Sequence, residues 1–367
     1  MIAVSSLAAV AAPSDRTALA SEIHQLVASH YPAADAPGCA VLVRLKGENI
    51  FAEGFGVTSL DHPEKITPQT NFRLASVTKQ FTAAATLRLV EQGKLSLDES
   101  LVDVFPDFPA WGKEVHVRNL LGHTGGLPDY EGLLPKDQKT PVLDADVLAT
   151  MRSQPGTIKP PGTVYAYSNS GYAVLAMIVE KRSGKRFADF LADEFFKPFG
   201  MSGTVAFENG RSTVAHRAYG HTRKDDGIVT ATDQSMTSSV LGDGGVYTSL
   251  TDYAKWADAW FDGKVLHEPL ASAAWTPGKL ADGEATIYGY GWRIEGTGAD
   301  RVIHHTGSTT GFSTYARLVP SHRLCVVFLA NRSGEEPKQL APQIEAKVLA
   351  WEKAAGHQTA PTPPAGS

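Results

Sequence analysis

The apolar patterning of this chain changes character twice, and that division most constrains its fold. Near the start, Cys39 to Leu45 and Ile50 to Phe55 are two short apolar runs around Lys46-Gly47-Glu48-Asn49, which reads as a β-hairpin. Comparable runs return only near the end, at Gly289 to Ile294, Arg301 to Thr306, Ser313 to Val319 and Leu324 to Ala330. The last two are joined by Pro320-Ser321-His322-Arg323. Between the two sets, from Asp98 to about Thr248, alternation gives way to helical periodicity and Pro/Gly-rich loops. A lone hairpin is marginal in water, so the two sets of strands are expected to meet in one sheet with the middle of the chain inserted between them.

The expected fold class is therefore α/β, more exactly α+β: an antiparallel five- or six-stranded sheet flanked by helices, with an inserted, mostly helical domain. The sheet domain is read over 14–75 and 249–353, the helical domain over 76–248 and a disordered Pro/Thr/Gly-rich tail over 354–367. Helices are predicted at Arg16 to His30, Ser76 to Val90, Val142 to Arg152, Gly171 to Arg182, Phe187 to Phe196, Thr251 to Phe261 and Lys338 to Trp351.

Composition narrows the function. A 43% hydrophobic, 20% charged chain of net charge −5 without basic clusters gives no footing for nucleic acid. No run is long enough to span a bilayer. The only cysteines, Cys39 and Cys325, lie in strand-like apolar runs and read as buried free thiols. Pairing stays open, because strands that become neighbours in an oxidising compartment could bridge them. No zinc-type Cys/His spacing occurs, and adjacent His304-His305 is the wrong arrangement for two ligands on one helix face, so neither metal nor organic cofactor is expected. Met1 to Pro13 is apolar and small, and Ala9-Val10-Ala11 has the form of a cleavage site, although no Lys or Arg precedes it. This gives an expectation of a periplasmic or secreted protein, with a cytoplasmic one as the alternative. The partner expected is a small-molecule or peptide substrate; nothing in the sequence sets an oligomeric state.

Three clusters carry chemistry. In Ser76-Val77-Thr78-Lys79, at the mouth of an apolar helix, residues three apart are neighbours, so the Lys79 amine would lie beside the Ser76 hydroxyl. A desolvated, neutral amine can take a serine proton and make a poor nucleophile a good one. A capping serine next to a solvated lysine would look the same in isolation. In Tyr167-Ser168-Asn169, residues two apart on an extended segment would reach into one cleft, where a tyrosine can relay a proton and an asparagine amide can hold a carbonyl. A helix cap with a packed tyrosine is the structural alternative. In His304-His305-Thr306-Gly307-Ser308, a strand end, Gly307 leaves room for a ligand backbone and Thr306 offers a hydroxyl.

In this order and spacing the three clusters resemble the signature of the penicillin-recognising serine hydrolases: Ser76-Val77-Thr78-Lys79 matches Ser-x-x-Lys, Tyr167-Ser168-Asn169 matches Tyr-x-Asn, and His305-Thr306-Gly307 matches the His-Thr-Gly variant of Lys-Thr-Gly. The branch is similar to class C β-lactamases, Streptomyces-type D-alanyl-D-alanine carboxypeptidases, D-amino-acid peptidases and family esterases. Leu120 to Tyr130 and Gly242 to Ser249 also fit, and the resemblance runs from about residue 16 to 352. It implies that Ser76 is acylated, with Lys79 its base and Tyr167 the acid/base group, and that Asn169 contacts a substrate amide. His305, Thr306 and Gly307 would meet the substrate, the first two at a carboxylate, and the N–H groups of Ser76 and Ser308 would form the oxyanion hole. Histidine where class C enzymes carry lysine weakens a carboxylate anchor, since an ordinary imidazole is mostly neutral at pH 7. Arg293 could supply the missing cation, or lie on the surface. The implied activity is that of a D-alanyl-D-alanine carboxypeptidase or D-amino-acid peptidase. The alternatives are an esterase on small acyl esters, a weak class C-like β-lactamase, or a non-catalytic module that binds β-lactams or peptidoglycan.

Overall fold

The computed structural model describes residues 16–224 and 227–356; the leader expected at Met1 to Pro13 and the tail 357–367 lie outside the described residues. Six strands form one sheet: β1 (Cys39–Leu45), β2 (Glu48–Phe55), β3 (Arg293–Glu295), β4 (Val302–Thr309), β5 (Phe312–Val319) and β6 (Leu324–Ala330). Their spatial order is β2-β1-β6-β5-β4-β3, every neighbouring pair antiparallel. The two ends of the chain meet where β1 pairs with β6, in register from Cys39 opposite Ala330 to Leu45 opposite Leu324. The hairpin turn is tighter than expected. Only Lys46 and Gly47 make it, both left-handed at φ 49° and 84°, which is the geometry a two-residue turn between twisted strands requires.

The helices that position the site are α1 (Arg16–His30), α2 (Lys79–Glu91), α3 (Asn169–Ser183), α4 (Leu250–Phe261) and α5 (Glu336–Ala354). One sheet face, carrying Val41, Val43, Val326 and Phe328, packs under Leu19, Ile23 and Val27 of α1 and Leu340, Ile344 and Val348 of α5. The other face, carrying Ala40, Leu42, Ile303, Ala316, Val327 and Leu329, belongs to a core that continues through α2, α3 and α4. Every residue of α2 from Lys79 to Leu87 is buried. Most polar side chains of a helix enclosed in this way find their partners inside the protein. Gln80 accepts from the Tyr253 hydroxyl at 2.7 Å and the Trp256 indole at 3.1 Å, and the Thr82 hydroxyl donates to the Gly242 carbonyl at 2.6 Å. Phe81 stacks on Trp256 with ring centroids 4.3 Å apart.

Some details differ from expectation. The middle of the chain holds short strands: Val246–Thr248 pairs with both Phe72–Arg73 and Val205–Ala206, and His221–Arg223 pairs with Val229–Ala231. At two or three residues each they leave no alternation to read. The helix expected at Phe187 to Phe196 breaks into an α-helical part, Phe187–Leu191, and a π-helical turn, Ala192–Phe196. Helix α5 extends three residues past Trp351 to Ala354. No helix among the described residues is long and apolar enough to cross a membrane.

The cysteines lie on opposite faces of the sheet. Cys39 belongs to the core under α1 and α5, whereas Cys325 faces the core of α2 and α4; their partners in the ladder are Ala330 and Arg44. Side chains pointing to opposite faces cannot be bridged without moving backbone, and both thiols are free. Protein unfolded without reductant should therefore titrate two thiols; finding none would contradict this arrangement.

Candidate active site

Ser76 sits where the chain leaves the Phe72–Arg73 strand and enters α2. The sequence placed it in the first α-helical turn; it lies instead on a 3₁₀ turn, Ala75–Thr78, that runs straight into Lys79. Ala75 has φ 50°, a left-handed conformation that costs a non-glycine residue roughly 1–2 kcal/mol. The surroundings hold it there. The Leu74 N–H donates to the Val246 carbonyl at 2.8 Å, and the Leu74 carbonyl accepts from the Thr314 hydroxyl of β5 at 2.7 Å. Gly307 of β4 lies against this turn so closely that a Cβ there would stand 2.1 Å from Thr314 Oγ1 and 2.2 Å from the Leu74 carbonyl oxygen. The glycine of the third cluster thus lets the strand press against the serine turn.

Lys79 is fully enclosed, and its Nζ has three neighbours: Ser76 Oγ at 3.2 Å, Asn169 Oδ1 at 2.9 Å and the Asp243 carbonyl oxygen at 2.8 Å. Two of these can only accept. A neutral amine would spend its two N–H bonds on them and turn its lone pair to the one group able to donate, the Ser76 hydroxyl. The geometry therefore suits a base poised on the serine. Asn169 is the first residue of α3, capped by the Ser168 hydroxyl, which accepts from the Gly171 N–H at 3.1 Å. The capping expected at this cluster is present at Ser168, and Asn169 reaches the lysine. Tyr167, about a third exposed, has its ring centroid 4.9 Å from Lys79 Nζ, 6.0 Å from the His305 ring and 5.5 Å from the Arg293 guanidinium carbon.

Strand β3 pairs with β4 only over Val302 to His304, so from His305 onward that edge of β4 has no strand partner among the described residues. Ser76, Asn169, Ser308 and Thr309 line a small polar crevice there. A larger groove of about 600 Å³, lined by Arg293, His304, Thr306, Ser308 and Lys338, runs alongside.

His305 departs from its expected part. It is 1% exposed; Nδ1 meets the Thr306 carbonyl at 2.7 Å and Nε2 the Tyr288 hydroxyl at 2.9 Å. The carbonyl can only accept, so Nδ1 carries the proton and Nε2 accepts from Tyr288. Burial, reinforced by Lys79 and by Arg293 and His304, holds the imidazole well below its ordinary pKa, that is, neutral. A neutral ring with both nitrogens engaged is not open to a substrate carboxylate. Arg293, half-buried and opening onto the groove, places a guanidinium over the Tyr167 ring.

The structure adds roles for residues to which the sequence reading assigns none. Glu131 lines the crevice and accepts from Asn169 Nδ2 at 3.2 Å, with burial and Asp129 raising its carboxyl pKa. The Tyr130 hydroxyl donates to the buried Asp243 carboxyl at 3.0 Å, and Asp144 accepts from the N–H groups of Leu241 and Gly242 at 2.8 and 2.9 Å. Asp144 thereby fixes the turn whose carbonyls hold Thr82 and Lys79. Burial raises Asp243 to about 6 and Asp144 to about 7. Their folded pKa values exceed the unfolded value of about 4, so the folded state binds extra protons between roughly pH 4 and 7, and their contribution to stability falls as pH rises through that window. Among the described residues no cluster of three or more His, Cys, Asp or Glu side chains could hold a metal.

A lysine poised on a serine at the turn into a buried helix, beside an open strand edge, defines a penicillin-binding-protein-like serine hydrolase. Comparison agrees: the Beta-lactamase family model matches residues 19–350, and the chain belongs to that family. Penicillin-binding protein 4* of Bacillus subtilis is 29% identical over 307 residues, covering 80% of this chain and 67% of the relative. D-aminopeptidase of Brucella canis is 28% identical over 306 residues, 81% of this chain, which spans only 57% of that relative. The structure of the octameric penicillin-binding protein homologue from Pyrococcus abyssi superposes with a TM-score of 0.78 at 26% identity, covering 93% of this chain and 79% of the other.

Lys79→Met keeps the apolar stem and removes the proton acceptor. Acylation by an activated ester should fall about 100- to 10,000-fold, the range for loss of a general base, with the thermal midpoint nearly retained. Near-normal acylation in a stopped-flow assay would show that Lys79 is not the base.

Proposed function

We propose that this hydrolase cleaves peptides or amides of D-amino acids that carry a free α-amine on the acyl side, through an acyl-enzyme on Ser76. In this reading Lys79 takes the serine proton, Tyr167 passes a proton to the leaving nitrogen, and the N–H groups of Ser76 and Ser308 receive the oxyanion. The open edge of β4 at Thr306 and Gly307 carries the substrate backbone. The observation that carries the substrate choice is Glu131, a carboxylate open to the serine crevice, without an ion pair among the described residues and tied to the Asn169 that holds Lys79. An unpaired carboxylate beside the nucleophile attracts an ammonium and repels an anionic acyl group. The D configuration rests on the D-aminopeptidase relative.

A second reading, a D-alanyl-D-alanine carboxypeptidase, is favoured by Arg293, whose charge faces the groove beside Thr306 with no ion pair among the described residues. A guanidinium there can hold the carboxylate of a leaving D-amino acid. The two readings differ in what lies on the acyl side. Turnover of D-alanine amide, D-Ala-D-Ala and N-acetyl-D-Ala-D-Ala should decide between them, with a p-nitrophenyl ester and a cephalosporin run alongside. Glu131→Gln should lower kcat/KM for the free-amine substrates about 10- to 100-fold, the scale of a charge-assisted contact, and leave the acetylated one nearly unchanged. Preference for the acetylated peptide would move the carboxypeptidase reading to first place, and turnover of esters alone would end both.

Export belongs to the same proposal, since the apolar segment Met1 to Pro13 motivates it and cell-wall-like peptides lie outside the cytoplasm. Full-length protein recovered only from the cytoplasmic fraction of an expressing cell would refute it.

A further inference from the structure

Tyr167 stands on a segment that lacks regular secondary structure from Val164 to Ser168, and it is one of the more exposed large side chains. A proton relay on such a segment needs something to hold it. The backbone N–H groups on either side of Tyr167 end on one residue: the Ala166 N–H donates to the His123 carbonyl at 2.8 Å, and the Ser168 N–H donates to His123 Nδ1 at 3.0 Å. The His123 ring also lies against the Tyr167 ring, centroids 4.3 Å apart. The residue is 1% exposed and left-handed, φ 57°, which is what turns its carbonyl and its ring toward the same stretch of chain.

We infer that His123 is a positioning residue that clamps Tyr167 from both sides, and that it does so only as the neutral imidazole protonated on Nε2. The inference rests on the reading of Tyr167 as proton relay. Because Nδ1 accepts the Ser168 N–H, it carries no proton; the proton sits on Nε2, which is buried without a hydrogen-bond partner. The titratable groups around the ring are Lys79, His305 and Arg293, with Tyr165, Tyr167, Tyr172 and Tyr288 as its walls. None is acidic in its ordinary state at neutral pH, so nothing there stabilises an imidazolium. Burial and the three basic neighbours push His123 well below its usual pKa. Protonation would replace the acceptor with a donor aimed at the Ser168 N–H and open one jaw of the clamp.

Leaving groups separate positioning from general loss of structure. An amide nitrogen must be protonated as it departs and needs Tyr167, whereas p-nitrophenolate departs with little help. His123→Gly keeps the left-handed backbone and removes ring and acceptor. Its kcat for an amide should fall about 100-fold while kcat for a p-nitrophenyl ester falls less than about 5-fold, with KM little changed. His123→Asn, which tolerates φ > 0 and returns a short acceptor, should recover most of the amide rate. Equal losses on amide and ester, or an undiminished amide rate in the glycine variant, would overturn the clamp. Should the glycine variant not fold, the asparagine variant is compared with His123→Ala: an amide-to-ester ratio at least about 10-fold higher with asparagine supports the clamp, and a smaller difference overturns it. Tyr167→Phe in parallel separates the two claims, since an unchanged amide rate there removes the relay reading itself.

Discussion

The burial of Lys79 is the constraint on which the rest of the site depends. An amine with no exposure must have each N–H answered or give up its proton. The answers come from the adjoining Ser76 turn and from two distant parts of the chain, the Asn169 amide at the head of α3 and the Asp243 carbonyl, each within 3.2 Å. Helices α2 and α3 and the Leu241–Gly244 turn are therefore fixed relative to one another by a single nitrogen as well as by the core between them. Asp144, bonded to the N–H groups of that turn, continues the chain of support one step outward.

The second constraint is how closely the sheet approaches the serine. Pairing of β1 with β6 closes the sheet from two chain ends and sets the register of β5 and β4 beside it. That register brings Thr314 to the Leu74 carbonyl and Gly307 against the same atom. The left-handed Ala75 is tolerable because these contacts leave the turn nowhere else to go. A side chain at 307 would force the strand and the serine apart, so the glycine here answers a steric need at the site.

Much of this was legible in the sequence because it depends on local rules. Strand β6 was read to the residue, since seven consecutive apolar residues end at a turn on each side. Helix α1 was equally clear from its spacing. The partnership of Ser76 with Lys79 followed from i, i+3 geometry and survives the change from α to 3₁₀ turn. The short strands at Phe72–Arg73, Val205–Ala206 and Val246–Thr248 were not legible, being too short to show a period. The state of His305 depends on Tyr288, and the parts played by Glu131 and His123 depend on contacts with Asn169 and Ser168, tens of residues away. No periodicity encodes such meetings; they exist only once the chain is folded.

The exchange of lysine for histidine in the third cluster takes its meaning from those meetings. A lysine at 305 would place a second amine close to Lys79, in a pocket where burial disfavours charge. The neutral, doubly bonded imidazole places no charge there and gives Tyr288 a fixed acceptor in the wall of aromatic rings around Tyr167. Arg293, one strand further out and only half-buried, presents a guanidinium to the groove beside Thr306 and to the Tyr167 ring. The ionisable side chains that reach the site are thus held in different places: Glu131 and the buried Arg73 line the crevice with Ser76, Arg293 opens onto the groove beside Thr306, and the imidazole at 305 is closed off between the Thr306 carbonyl and Tyr288.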